Sequence, residues 1–167
     1  HRHLALPLEE YAGLSGFGES NDAFVRVGLD LAEQAVLGAL DAAGLTAADV
    51  DLVVSTTVTG LSAPSLEAML ASRIGLRPDV KRVPVFGLGC VAGAAGIARI
   101  HDYLVGHPGG VAVLLSVELC SLTVQRDDVS MPNIVASGLF GDGAAAVVMV
   151  GSRRAAQMGL SGPTIVA

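Results

Sequence analysis

The chain has 167 residues, enough for one domain with a substantial core. It is 51% hydrophobic and 16% charged, with a mean hydropathy of +0.60, a balance that suits strands and helices buried on both sides in a layered α/β fold. Its formal charge is −6 with the basic residues scattered, which excludes a basic nucleic-acid footprint, and no apolar run nears the roughly 20 residues of a membrane span.

No secretory signal is visible, and Cys90 and Cys120 have neither disulfide-scaffold nor metal-ligand spacing. A cytoplasmic chain with both thiols reduced is the expectation. The opening "HRHLALPLEEY" lacks an initiator methionine and "GPTIVA" carries no stop signal, so an internal piece of a longer protein is expected.

In chain order, residues 1–20 are rich in Gly, Pro and charge and read as loop. From Asn21, apolar residues recur at helical spacing (Phe24, Val27, Leu31, Ala35, Leu37, Leu40), with Asn21 or Asp22 as the cap and Gly44 as the stop. "DLVVSTTV" reads as a β-branched strand, and Pro64 opens a helix, "SLEAMLASRI", that Gly75 closes. "VKRVPVFG" is a strand whose Pro84 argues for an edge or a bulge. The Cys90 helix follows, then the strand "VAVLLSVEL". A polar loop with Arg126, Asp127 and Asp128 leads to a helical turn near Met131–Leu139, and "GAAAVVMV" is the last strand. Strand and helix alternate, which predicts right-handed crossovers and a mostly parallel sheet with helices on its faces. Ligands bind such sheets outside the carboxyl ends of the strands, and both Cys90 and Cys120 stand just past such ends.

"FGLGCVAGAAG" sets Cys90 before a helix of small residues. Each glycine lowers helix stability by roughly 1 kcal/mol relative to alanine. A helix holding several therefore needs something to come close to its backbone. The first turn of a helix has free N–H groups and the positive end of the dipole, which favour a thiolate and can hold an oxyanion during acyl transfer. The residues thus suit a cysteine that carries an acyl group as a thioester. They equally suit a small packed core cysteine, and by themselves leave both readings open. Cys120 reads more simply as packing. "GLFGDGAAAVV" could be a tight turn in which Asp142 bonds its own backbone. "GHPGG" reads as a loop, and His101 and Asp102 as surface residues of the Cys90 helix.

Three motifs, "FGLGCVAGAAG", "SVELCSLT" and "GLFGDGAAAVV", with "TVTGLSAPSLEA" as a fourth, give the chain its resemblance to the type III polyketide synthases. These are the chalcone and stilbene synthase family of the thiolase-like superfamily, and the resemblance spans essentially the whole chain. It implies a thiolase-like layered fold, of which residues 1–167 would be an incomplete amino-terminal domain. It implies that Cys90 takes a starter acyl group from a coenzyme A thioester and that malonyl-CoA is decarboxylated and condensed onto it, without an acyl carrier protein and with no cofactor. Phe140 matches the phenylalanine between the coenzyme A tunnel and the cavity. Val58, Thr59, Cys120 and Thr123 match cavity-lining positions.

Plant relatives carry threonine where this chain has Cys120, and naphthalene-forming bacterial relatives carry cysteine where it has Val58. Both departures resemble the bacterial enzymes that make alkyl pyrones or alkyl resorcinols from fatty acyl starters. The resemblance also implies a homodimer and a cis bond between Ala63 and Pro64. The family's catalytic His and Asn come from a second half that this chain lacks. The chain alone is therefore expected to turn nothing over, and His107 in "HPGG" is not assigned a catalytic role. The alternatives are a ketoacyl synthase of the same superfamily, which would draw malonate from a carrier protein, and a non-catalytic fragment.

Overall fold

The computed structural model describes residues 2–166, and its elements follow where the apolar residues fall. They run α1 (Phe17–Ala42), β1 (Leu52–Thr57), α2 (Leu66–Ile74), β2 (Lys81–Phe86), α3 (Ala92–Gly106), β3 (Val111–Leu119), α4 (Met131–Leu139), β4 (Asp142–Val150) and α5 (Ser152–Met158). Short 3-10 turns cover Leu8–Gly13, Ala47–Asp49, Gly89–Val91 and Cys120–Thr123.

The sheet order is β2-β1-β3-β4. β1 runs parallel to both β2 and β3, while β4 runs antiparallel to β3, with Leu119 opposite Asp142 and Val111 opposite Val150. The expected mostly parallel α/β sheet is thus present with one reversed strand, because α4 and its flanking loops return the chain to the end of the sheet it has just left. Alternation along β1 and β3 splits the core. Val53, Val113 and Leu115 face α1 and α2, and Leu52, Val54, Ala112 and Leu114 face α3 with Ile100 and Leu104. β2 is an edge, as Pro84 predicted, since an edge strand pairs on one side only and tolerates a missing N–H.

Two helices start elsewhere than their sequence signals suggest. α1 begins one turn before Asn21, at Phe17, and neither Asn21 nor Asp22 caps it. The Asn21 amide instead donates to Leu61 O and accepts from Leu61 N, each at 2.8 Å, clasping the loop after β1. The buried line of α1 is Phe24, Gly28, Ala32, Val36 and Leu40, so Val27, Leu31 and Ala35 lie at its margin and Leu37 is exposed. Small residues hold that line because a Cβ on Gly28 would already touch Val117 at 3.4 Å. α2 starts at Leu66 after Ser65, not at Pro64, and the Ala63–Pro64 bond is cis. Gly75 closes α2 in the left-handed region (φ 72°), and Gly159 closes α5 the same way (φ 63°). α5 itself was not anticipated. Among the described residues no helix is long and apolar enough to cross a membrane.

Candidate active site

Parallel strands bring their carboxyl ends to one edge of the sheet. Past β1 come Val58 and Thr59, past β2 comes Cys90, and past β3 come Cys120 and Thr123. The reversed β4 begins at the same edge, with Phe140 just before it. All six residues singled out from the sequence line one cavity of about 740 Å³. That volume lies in the range of roughly 300–1,000 Å³ usual for small-molecule sites.

Cys90 is exposed and sits in the Gly89–Val91 turn that runs into α3. Gly87 (φ 93°) and Gly89 (φ 60°) occupy backbone conformations that side chains disfavour, and they turn the chain sharply from β2 into the helix. No side chain caps the turn or α3, and the Ala92 N–H donates to Gly89 O where the turn runs into the helix. The small residues of α3 have two jobs. A Cβ on Gly96 would lie 2.5 Å from Leu114 Cδ1, so Gly96 lets α3 press on the sheet, whereas Gly93 meets nothing within 4 Å and lines the cavity.

Cys120 is half-buried. Burial pushes its thiol up from the ordinary value, and the Glu118 and Asp142 carboxylates push the same way. Its thiol therefore ionises less readily than an ordinary cysteine's. Thr123 Oγ1 donates to Cys120 O at 2.8 Å, which fixes their turn.

Glu118, within "SVELCSLT", organises one wall. Its carboxylate accepts from Thr59 Oγ1 at 2.8 Å and from Val58 N at 3.1 and 3.2 Å. Thr59 Oγ1 in turn accepts from Leu119 N at 2.9 Å. The available signal was a lone charge near the end of an otherwise apolar strand. Behind it, the hydroxyls of Thr56 and Ser116 pair at 2.8 Å. Arg2 also reaches the cavity rim, where Nη1 donates to Ser137 O at 2.8 Å and Phe140 O at 3.3 Å. Nothing in the sequence pointed to it.

Asp142 does not bond its own turn as the sequence suggested. It accepts from Ala5 N, Ser121 N and Ser121 Oγ. No histidine among the described residues lines the cavity. His107 caps the far end of α3, where Nδ1 lies 2.8 Å from Tyr103 O, a helix length of roughly 20 Å from Cys90. Among the described residues no cluster of His, Cys, Asp or Glu is arranged to hold a metal ion.

Residues 15–153 match the model of the chalcone and stilbene synthases, N-terminal domain. The chain is 70% identical over 150 residues to a 1,3,6,8-tetrahydroxynaphthalene synthase of Streptomyces peucetius, covering 90% of this chain and 40% of that protein. The crystal structure of the 1,3,6,8-tetrahydroxynaphthalene synthase of Streptomyces coelicolor superposes with a TM-score of 0.86 at 35% identity, over 89% of this chain and 43% of that one. Germicidin synthase of Streptomyces coelicolor, a type III polyketide synthase, superposes with a TM-score of 0.76 at 32% identity, over 78% and 34% of the two chains. The chain spans about two fifths of the length of the curated relatives it matches. With the mixed sheet, Cys90 in the turn before α3 and the family match over most of its length, the chain belongs to the chalcone and stilbene synthases, the type III polyketide synthases, and carries sequence of their N-terminal domain.

Proposed function

We propose that this chain is the amino-terminal part of a type III polyketide synthase in which Cys90 carries the growing acyl chain. Cys90 Sγ attacks the carbonyl of an acyl-CoA thioester, the new C–S bond forms, and the bond to coenzyme A breaks with its thiol leaving. Malonyl-CoA then loses carbon dioxide, and its α-carbon attacks the Cys90 thioester, releasing Sγ and leaving a chain longer by two carbons on coenzyme A. No side chain caps the Gly89–Val91 turn, and backbone N–H groups there, other than that of Ala92, which Gly89 O takes, suit the oxyanion of the loading step. Val58, Thr59, Cys120 and Thr123 shape the chamber, and Phe140 stands on its wall. The observation that carries this reading is the convergence of these residues, from separate segments, on one cavity open to an exposed Cys90. The enzyme is read as a homodimer acting on acyl-CoA and malonyl-CoA, without an acyl carrier protein.

Two product readings follow. A fatty acyl starter leading to an alkyl pyrone or resorcinol is supported by Val58 and Cys120 on the cavity wall, where naphthalene-forming relatives carry cysteine and plant relatives threonine. A tetrahydroxynaphthalene product is supported by the 70% identity to a protein so named. One experiment separates them. The full-length enzyme is given malonyl-CoA alone and then with a long-chain acyl-CoA, and its products are identified by mass spectrometry. An aromatic product from malonyl-CoA alone supports the naphthalene reading, and product only with the fatty acyl-CoA supports the other. Extension only from a malonylated carrier protein would instead indicate a ketoacyl synthase.

A further inference from the structure

The Asp142 side chain ties two separate segments, residues 2–6 and the Cys120–Thr123 turn, to the start of β4 beneath the cavity. Its Oδ1 accepts from Ser121 N at 2.8 Å, and its Oδ2 accepts from Ala5 N at 2.6 Å and from Ser121 Oγ. Its own N–H donates to His3 O at 3.1 Å. Ser121 Oγ lies 2.5 Å from Tyr11 Oη, and Leu6 N donates to that same Oη at 3.2 Å. An ionised carboxylate only accepts, so the direction is fixed: Leu6 N–H to Tyr11, Tyr11 O–H to Ser121, Ser121 O–H to Asp142.

We propose that Asp142 is a positioning residue that clamps residues 2–6 onto the Cys120–Thr123 turn and so sets the gap between Cys120 and Phe140 in which the acyl chain lies. This rests on the cavity reading above. Asp142 is absent from the cavity lining, so it acts through its neighbours. Ser121 follows Cys120 directly, and Phe140 lies two residues before Asp142, so the carboxylate spans the two walls. Arg2, on the same clamped segment, holds Phe140 and Ser137 by their carbonyls. The β3–β4 ladder fixes Leu119 opposite Asp142, but the tilt of the turn beyond Leu119 depends on what Ser121 bonds.

The test uses the full-length enzyme with Asp142→Asn, which keeps the shape and loses one acceptor oxygen, and Tyr11→Phe, which breaks the remote end of the chain. Asp142→Asn is expected to raise KM for acyl-CoA about tenfold, equivalent to 1.4 kcal/mol, and to change the product chain-length ratio more than kcat. Tyr11→Phe shifts both in the same direction by less, and the double variant falls short of the sum because the two sites share one chain of hydrogen bonds. Amide exchange at Ala5 and Ser121 rises together in both variants. A uniform fall in kcat with unchanged KM and product ratio would overturn the proposal, as would exchange at Ala5 and Ser121 that moves independently. If Asp142→Asn does not fold, Tyr11→Phe carries the same readouts. The exchange measurement needs no turnover, so a wild-type enzyme that fails to acylate Cys90 sinks the reaction reading separately from the clamp.

Discussion

Thr59 Oγ1 donates to Glu118 at 2.8 Å while accepting from Leu119 N at 2.9 Å, so one hydroxyl fastens the loop after β1 to the end of β3. Thr59→Val keeps the shape and leaves both partners short of a bond. A cost of about 1–3 kcal/mol is expected from the unsatisfied groups, measured by equilibrium denaturation. Product formation should fall as well, because Val58 and Thr59 form one cavity wall. A Thr59→Val enzyme of wild-type stability would show that the network is not maintained in solution.

The two thiols should differ in reactivity. Iodoacetamide consumes the thiolate, and burial with two nearby carboxylates holds Cys120 toward the neutral form. Cys90 is exposed at the helix start and is expected to be labelled first, with acyl-CoA protecting it. Because its pKa is raised, Cys120 should become reactive only as pH climbs above the range of an ordinary thiol. Equal labelling of both at neutral pH would contradict the assignment.

Cys120 and Thr123 bound the chamber, so size at this wall should control the substrate. Cys120→Phe is expected to shorten the accepted starter and Cys120→Ser to alter the product distribution more than the rate. Chain-length profiling with a series of acyl-CoA thioesters checks this. An unchanged profile in Cys120→Phe would place the acyl tail elsewhere.

Gly93 and Gly96 stand one turn apart on α3 and should respond oppositely to alanine. At Gly93 nothing lies within 4 Å, so the helix should gain up to about 1 kcal/mol while the cavity narrows. At Gly96 the new methyl lies 2.5 Å from buried Leu114, and overpacking of about 1–3 kcal/mol should outweigh that gain. Thermal unfolding of the two variants decides it, and stabilisation by Gly96→Ala would mean that α3 does not press on the sheet as described.

Much of this site was legible because its positions sit at strand ends, and strand ends are set by local hydrophobic runs. "VAVLLSVEL" matches β3 to the residue, and Pro84 marked the edge. The face of α1 was misread because its closest approach uses Gly28 and Ala32, whose smallness carries no hydrophobic signal. The reversal of β4 was hidden because a short helix between strands looks the same whether the chain crosses over or returns. Glu118, Arg2 and Asp142 act through partners at least 20 positions away, so no local pattern announces them. The role of Asp142 in particular depends on Ala5, far from it in sequence.

The central claim is that Cys90 is the acyl carrier. It is tested by incubating the full-length enzyme with a long-chain acyl-CoA and, separately, malonyl-CoA, then mapping any adduct by peptide mass spectrometry. The account predicts an acyl thioester on the Cys90 peptide, absent in Cys90→Ala and present in Cys120→Ser, with Cys90→Ala forming no extended product. An adduct on Cys120 that survives Cys90→Ala, or extension by Cys90→Ala at the wild-type rate, would contradict it.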